Sequence, residues 1–204
     1  MALLKDGEII AHRTSEANAL DFLFTGLEEC LAEASASFGE IDGVCYCEGP
    51  GSAMGLRIAA MALMTWKTTS PKLCLHACRS LPLHAALFSL TPNAPDTFSL
   101  VAQWRKDTWY RFRHSKNDPP DWQTMDVLSD ADAEELEGEV FHVRQRKFAT
   151  QPPSRFQPIP TSLKHLPAAL RMEGLLRATD QPEFFDPGMP SYKKWVPQRH
   201  RGKA

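Results

Sequence analysis

The 204-residue sequence lacks a long hydrophobic run, an excess of either charge, and any cysteine–histidine pair at a familiar metal-binding spacing. Each absence excludes something. A membrane-spanning helix needs about 18–20 apolar residues in succession. The longest apolar stretch here, Leu56 to Trp66, is broken by Arg57. The opening residues, Met1 to Glu8, hold too short an apolar segment for a secretion signal, so a cytoplasmic protein is expected. The formal net charge of -2 is not that of a protein that coats nucleic acid, which needs a basic face. Cys30, Cys45, Cys47, Cys74 and Cys78 make an odd set within apolar segments. That suits a reducing compartment and predicts buried structural thiols. Cys74, His76, Cys78 and His84 form one loose cluster and Cys45-x-Cys47 another, and neither has finger-like spacing. The Gly-Lys-Ser/Thr ending of a P-loop, His-Glu-x-x-His and the Gly-x-Ser-x-Gly elbow are all missing. No catalytic residue, cofactor site or metal site is expected.

What is present alternates between strand and helix patterns. Ala2-Leu3-Leu4 and Glu8 to His12 flank Lys5-Asp6-Gly7, and Asp-Gly between apolar runs predicts a hairpin. Leu20, Leu23, Phe24, Leu27 and Leu31 recur at helical spacing within about residues 17–36. Ile41 to Cys47 reads as a strand that is apolar on both faces, which predicts a central parallel position. A helix follows, with Leu56, Ala60, Leu63 and Met64 as its buried stripe. Residues 71–76 read as a strand and 81–90 as a helix with Pro82 in its first turn.

Beyond the turn-rich segment 91–96, residues 99–104 and 108–113 read as two strands around Arg105-Lys106-Asp107. The second alternates aromatic and basic residues. Aromatics on an inner face and basic residues in water explain that alternation better than RNA stacking does. A short helix is expected over 130–136, a strand over 140–143 and a helix from Leu163 to Arg177 that begins near Pro167. The last residues, with Lys193, Lys194, Arg199, Arg201 and Lys203, are basic. Contact with RNA phosphates is one use for them, and a solvated terminus is the blander one.

The segment that carries a functional signal is Gly49-Pro50-Gly51-Ser52-Ala53-Met54-Gly55-Leu56-Arg57. It joins a strand to a helix. Gly49 and Gly51 permit backbone angles and close approaches that a side chain would block. Pro50 stiffens the turn and Ser52 is an N-cap candidate. Free N–H groups at the helix start attract anions or carbonyl oxygens, and Arg57 suits a carboxylate or phosphate. A tight β–α turn with no ligand explains the same residues equally well.

With Cys47-Glu48 before it and Ile58-Ala59 after it, this segment resembles the signature of the TsaB family, also called YeaZ, usually written GPGSFTGLRIG. Leu4 to Gly7, Arg105 with Tyr110, and Pro190-Ser191-Tyr192 are weaker echoes of the same family. The resemblance implies an α/β, actin-like ATPase (ASKHA, ribonuclease-H-like) fold in two lobes. It implies a non-catalytic partner of a TsaD-like catalytic subunit, with a TsaE-like ATPase as a further component. Together these install threonylcarbamoyl on the tRNA adenosine beside the anticodon. The implied partner surface and signature turn comprise Gly49, Pro50, Gly51, Ser52, Gly55, Leu56, Arg57 and Arg105.

The departures from the family are specific. The family opens with a strand and loop like ILAIDTS, and this sequence starts where the second strand is under way, so the first lobe reads as truncated at its N-terminus. Gln103 stands where the family has an acid, and Ala53-Met54 replaces Phe-Thr. The family's older glycoprotease label rests on a metal motif absent here. The expected division is 1–96 for the first lobe, 97–180 for a reduced second lobe and 181–204 for a proline-rich basic tail. Two other readings stay open: a nucleotide-binding transferase or ATPase of the same superfamily, and a homodimeric scaffold.

Overall fold

A computed structural model describes residues 1–15, 19–144, 151–160 and 162–182. The Pro190-Ser191-Tyr192 echo and the basic tail lie outside the described residues. Strands β1 (Ala2–Lys5) and β2 (Glu8–His12) form the expected antiparallel hairpin. Asp6 and Gly7 have φ of 52° and 82°, as a type I′ loop requires. Helix α1 (Ala19–Glu33) follows and buries Gly26 and Cys30.

Strand β3 (Gly43–Gly49), helix α2 (Ala53–Thr69) and strand β4 (Cys74–Arg79) make a parallel β–α–β unit. Leu63 of α2 packs with Leu73 and Leu75, and Val44, Tyr46 and Trp66 close around them. The expectation for Met64 fails. It is 56% exposed, because the stripe facing the sheet runs through Ala60 and Leu63. The central position expected for β3 belongs instead to β4. Strand β10 (Arg177–Thr179) pairs antiparallel with the other side of β4, so the order is β10-β4-β3. The far edge of β3 has no paired strand among the described residues. Cys45 and Cys74 are exposed, against the expectation of buried thiols, because alternation turns them away from α2.

Helix α3 (Ser80–Ser89) leads from β4 into a second, five-stranded sheet. Its strands are β5 (Thr97–Arg105), β6 (Thr108–Ser115), β7 (Asp126–Ser129), β8 (Val140–His142) and β9 (Gln157–Pro158), in the order β7-β6-β5-β8-β9. Asp107, at φ 60°, turns the β5–β6 hairpin. The alternation on β6 is resolved in favour of a core. Trp109 packs with Val101, Ala133 and Phe156 on one face, and Tyr110 packs with Phe98, Leu100 and α3 on the other. Helix α4 (Asp130–Glu134) is capped by Ser129, and Asp130 accepts the Trp109 indole N–H at 2.6 Å.

The long helix expected over 163–177 does not form. A 3-10 turn over Leu163–His165 runs into α5 (Leu166–Ala169), which is one turn long. Pro167 fits that first turn, but Gly174 adopts φ 78° and Leu175 drops into the core beside Ala169. Burying Leu175 and pairing β10 replaces the helical continuation.

Candidate functional site

The GPGS turn begins at the buried end of β3. Gly49 has φ 123°, a backbone angle closed to side chains, and the Gly49–Pro50 peptide is cis. The Ser80 hydroxyl donates to the Pro50 carbonyl at 2.8 Å and so ties the turn to the start of α3. Ser52 caps α2 as expected, its hydroxyl accepting the Gly55 N–H at 3.4 Å. Gly51 differs from the expectation. A Cβ added there would meet only Leu56 Cδ2, at 3.9 Å, so no close approach demands glycine. A Cβ on Gly55 would meet Ala19 Cβ at 3.6 Å, an ordinary contact across the α1–α2 seam.

Directly before the turn, Glu48 is 4% exposed and carries two guanidinium groups. Arg177 Nη2 donates to Glu48 Oε2 at 2.8 Å, and Arg79 Nε to Oε1 at 3.3 Å. Arg79 also donates to the Gln123 carbonyl. A buried carboxylate needs such partners, since desolvation costs several kcal/mol per ion, on the order of the pair's own attraction. Both oxygens of Glu48 are engaged, so a metal ion at this carboxylate would displace an arginine. Residue-by-residue reading missed Glu48, Arg79 and Arg177. The available signal was a lone acid at the end of an apolar strand.

The α2 surface beyond the turn is apolar and open. Met54, Met61 and Met64 are 64%, 70% and 56% exposed, and Arg57 lies among them on the same stripe. Leu20 and Phe24 of α1 are exposed beside it. Phe24 meets Trp66 of α2 edge-on at a ring separation of 6.4 Å. Leu56 is half-buried at the turn's edge. Arg105 stands apart from the other residues of the signature. It ends β5 in the second sheet, exposed, with its guanidinium 4.4 Å from the centre of the Trp104 ring.

The fold has counterparts. Residues 14–114 match the family model described as TsaD: tRNA N6-adenosine threonylcarbamoyltransferase. No curated protein sequence matches the chain. Among the solved structures that superpose on it are YeaZ from Pseudomonas aeruginosa and an uncharacterized protein from the same organism with similarity to peptidase YEAZ. Each gives a TM-score of 0.55 at 18% identity, covering 69% of this chain and 68% of the other. The chain is TsaB/YeaZ-like in fold. Its fold is the actin-like (ASKHA) one that the signature implied. In this YeaZ-like chain the turn holds a strand to two helices, and the apolar stripe it orients is formed by α2 and the neighbouring face of α1.

Proposed function

We propose that this chain is a non-catalytic partner subunit. It supports a TsaD-like enzyme in threonylcarbamoyladenosine modification of tRNA at the position next to the anticodon, with a TsaE-like ATPase as an additional component. The observation that carries the reading is the open methionine stripe on α2, continued by Leu20 and Phe24 on α1. Contiguous exposed apolar surface marks an interaction site, and methionine adapts its shape to a partner. The match of residues 14–114 to a TsaD-type model supports the choice of partner class. The engagement of Glu48 by two arginines supports a structural role for the turn over a catalytic one.

Co-expression with the TsaD-like subunit of the same cell, followed by size-exclusion chromatography with light scattering, tests this. A one-to-one complex at micromolar concentration is expected. Met61→Asp should abolish it, and Arg57→Ala should weaken it at unchanged melting temperature. Separate elution of the two wild-type chains would reject the proposal. A homodimer of this chain alone, disrupted by Met61→Asp, would favour the scaffold reading, which the same apolar stripe also supports. Heat on titration with ATP and magnesium would favour the nucleotide-binding reading.

A further inference from the structure

Alternation gives β3 and β4 two unlike faces. Val44, Tyr46 and Leu75 pack toward α2. The other face carries Cys45 and Cys47 on β3, and Cys74, His76 and Cys78 on β4. Four of the chain's five thiols therefore share one side of a two-strand unit. They differ in access: Cys45 and Cys74 are exposed, Cys47 is half-buried and Cys78 is buried.

In the parallel register Cys47 lies directly beside Cys78. Adjacent strands run about 4.8 Å apart, within the roughly 4.4–6.8 Å between Cα atoms that a disulfide bridges. The Cys78 sulfur is hydrogen-bonded to the Tyr46 carbonyl at 3.4 Å, which holds it against β3. The Cys47 thiol is directed at the Gly49 carbonyl, at 3.9 Å. The adjacent Cys78 thiol holds the Cys47 thiol below its usual range despite burial. The same neighbour, with burial, pushes Cys78 up. Cys47 therefore ionises first, and the thiolate is the nucleophilic form of cysteine. Cys78 stays protonated next to it.

We propose that Cys47 and Cys78 form a redox-active dithiol that hydrogen peroxide converts to a disulfide between β3 and β4. The Cys47 thiolate attacks one peroxide oxygen. An S–O bond forms as the O–O bond breaks, and the departing hydroxide takes a proton to become water. Cys78 then attacks the Cys47 sulfur. The S–S bond forms, the S–O bond breaks, and the hydroxyl leaves as water with the Cys78 proton. Two thiols lose two electrons and two protons, and one peroxide becomes two waters. The bond would lie immediately before Glu48 on one strand and Arg79 on the other, and so at the root of the GPGS turn.

The test uses the full reduced chain, treated with stoichiometric hydrogen peroxide, quenched, alkylated and mapped by mass spectrometry. The expected product has lost two hydrogen atoms, links the β3 and β4 peptides through Cys47 and Cys78, and reverts with dithiothreitol. Cys78→Ser should stop at a Cys47 sulfenic acid that dimedone traps, and Cys45→Ser should leave the linkage intact. Pairing of Cys47 with Cys45, disulfides only between chains, or Cys47 and Cys78 still fully alkylated after Cys45 and Cys74 have oxidised would each overturn the proposal. The mapping of the unsubstituted chain decides the matter even where a variant fails to fold.

Discussion

Strands β3 and β5 each anchor a sheet, and they are finished to different degrees. β5 is paired on both edges, by β6 and β8, and six consecutive residues from Phe98 to Gln103 are buried. Apolar layers cover both of its faces. β3 is paired on one edge, is covered on one face, and is buried only at its last residues, Glu48 and Gly49. The second sheet is built for stability. The first leaves one edge and the thiols Cys45 and Cys74 open and is covered by a helix with an open methionine stripe, and the features argued above for partner binding and redox chemistry lie on this side. Where a fold spends less on its own burial, it has surface available for other molecules.

The sharpest way to break this comparison is to remove one side chain from each sheet. Trp109→Ala should cost about 3–5 kcal/mol, because it empties a site walled by Val101, Ala133, Val140 and Phe156. Val44→Ala, on half-buried β3, should cost about 1 kcal/mol or less. Chemical denaturation of both variants checks this, and equal losses would mean that β3 is as well supported as β5.

The ion cluster is the exception on the β3 side, since it is buried and costly to disturb. Glu48→Gln should destabilise by about 2–3 kcal/mol, below the roughly 3–5 kcal/mol for breaking a fully buried pair, because the Arg177 side chain is partly exposed. A loss no greater than that of an exposed surface pair would show that the two arginines do not depend on this carboxylate.

The turn itself separates two glycines. Gly49→Ala should cost about 1–3 kcal/mol at φ 123°. Gly51→Ala should change stability by no more than about 0.5 kcal/mol, since its Cβ has room. Matched melting curves for the two variants would contradict the assignment.

The smallest effect is in pH. Burial holds His84 below its ordinary range, and burial with Lys116 nearby does the same for His114. The unfolded chain therefore binds these protons more readily than the folded one. Their contribution is fully present above about pH 6.5 and is lost as pH falls through that value toward the lowered folded ones. His114 lies between Phe98 and Trp122 in the second sheet's core, and neither of its ring nitrogens has a hydrogen-bond partner among the described residues. His114→Phe should flatten the decline in melting temperature between about pH 7.5 and about pH 5.5. An unchanged slope would place the titration elsewhere.

The sequence makes local patterns legible and long-range closure opaque. The opening hairpin, α1, α2 with its Ser52 cap, and the β5–β6 pair are readable because Asp-Gly, helical spacing and alternation are each set within a few residues. Residues 163–177 mislead because Leu166, Leu170 and Leu175 mimic a helical stripe, while the outcome depends on packing Leu175 into the core that holds Ala169 and on the free side of β4. β9 is hidden by Pro158, which takes an edge position where no donor is required. Of the site, the turn was legible from its glycines. The engagement of Glu48 was not, since Arg177 is 129 residues away in the chain.

That distance also sets a timetable. A ribosome makes Glu48 long before Arg177, and at roughly 5–20 residues per second the 129-residue interval takes on the order of ten seconds. Arg79 emerges after 31 residues and reaches the carboxylate first. β10 and its arginine arrive as a late clasp, so the β10-β4-β3 sheet, begun before the five-stranded one, is completed after it.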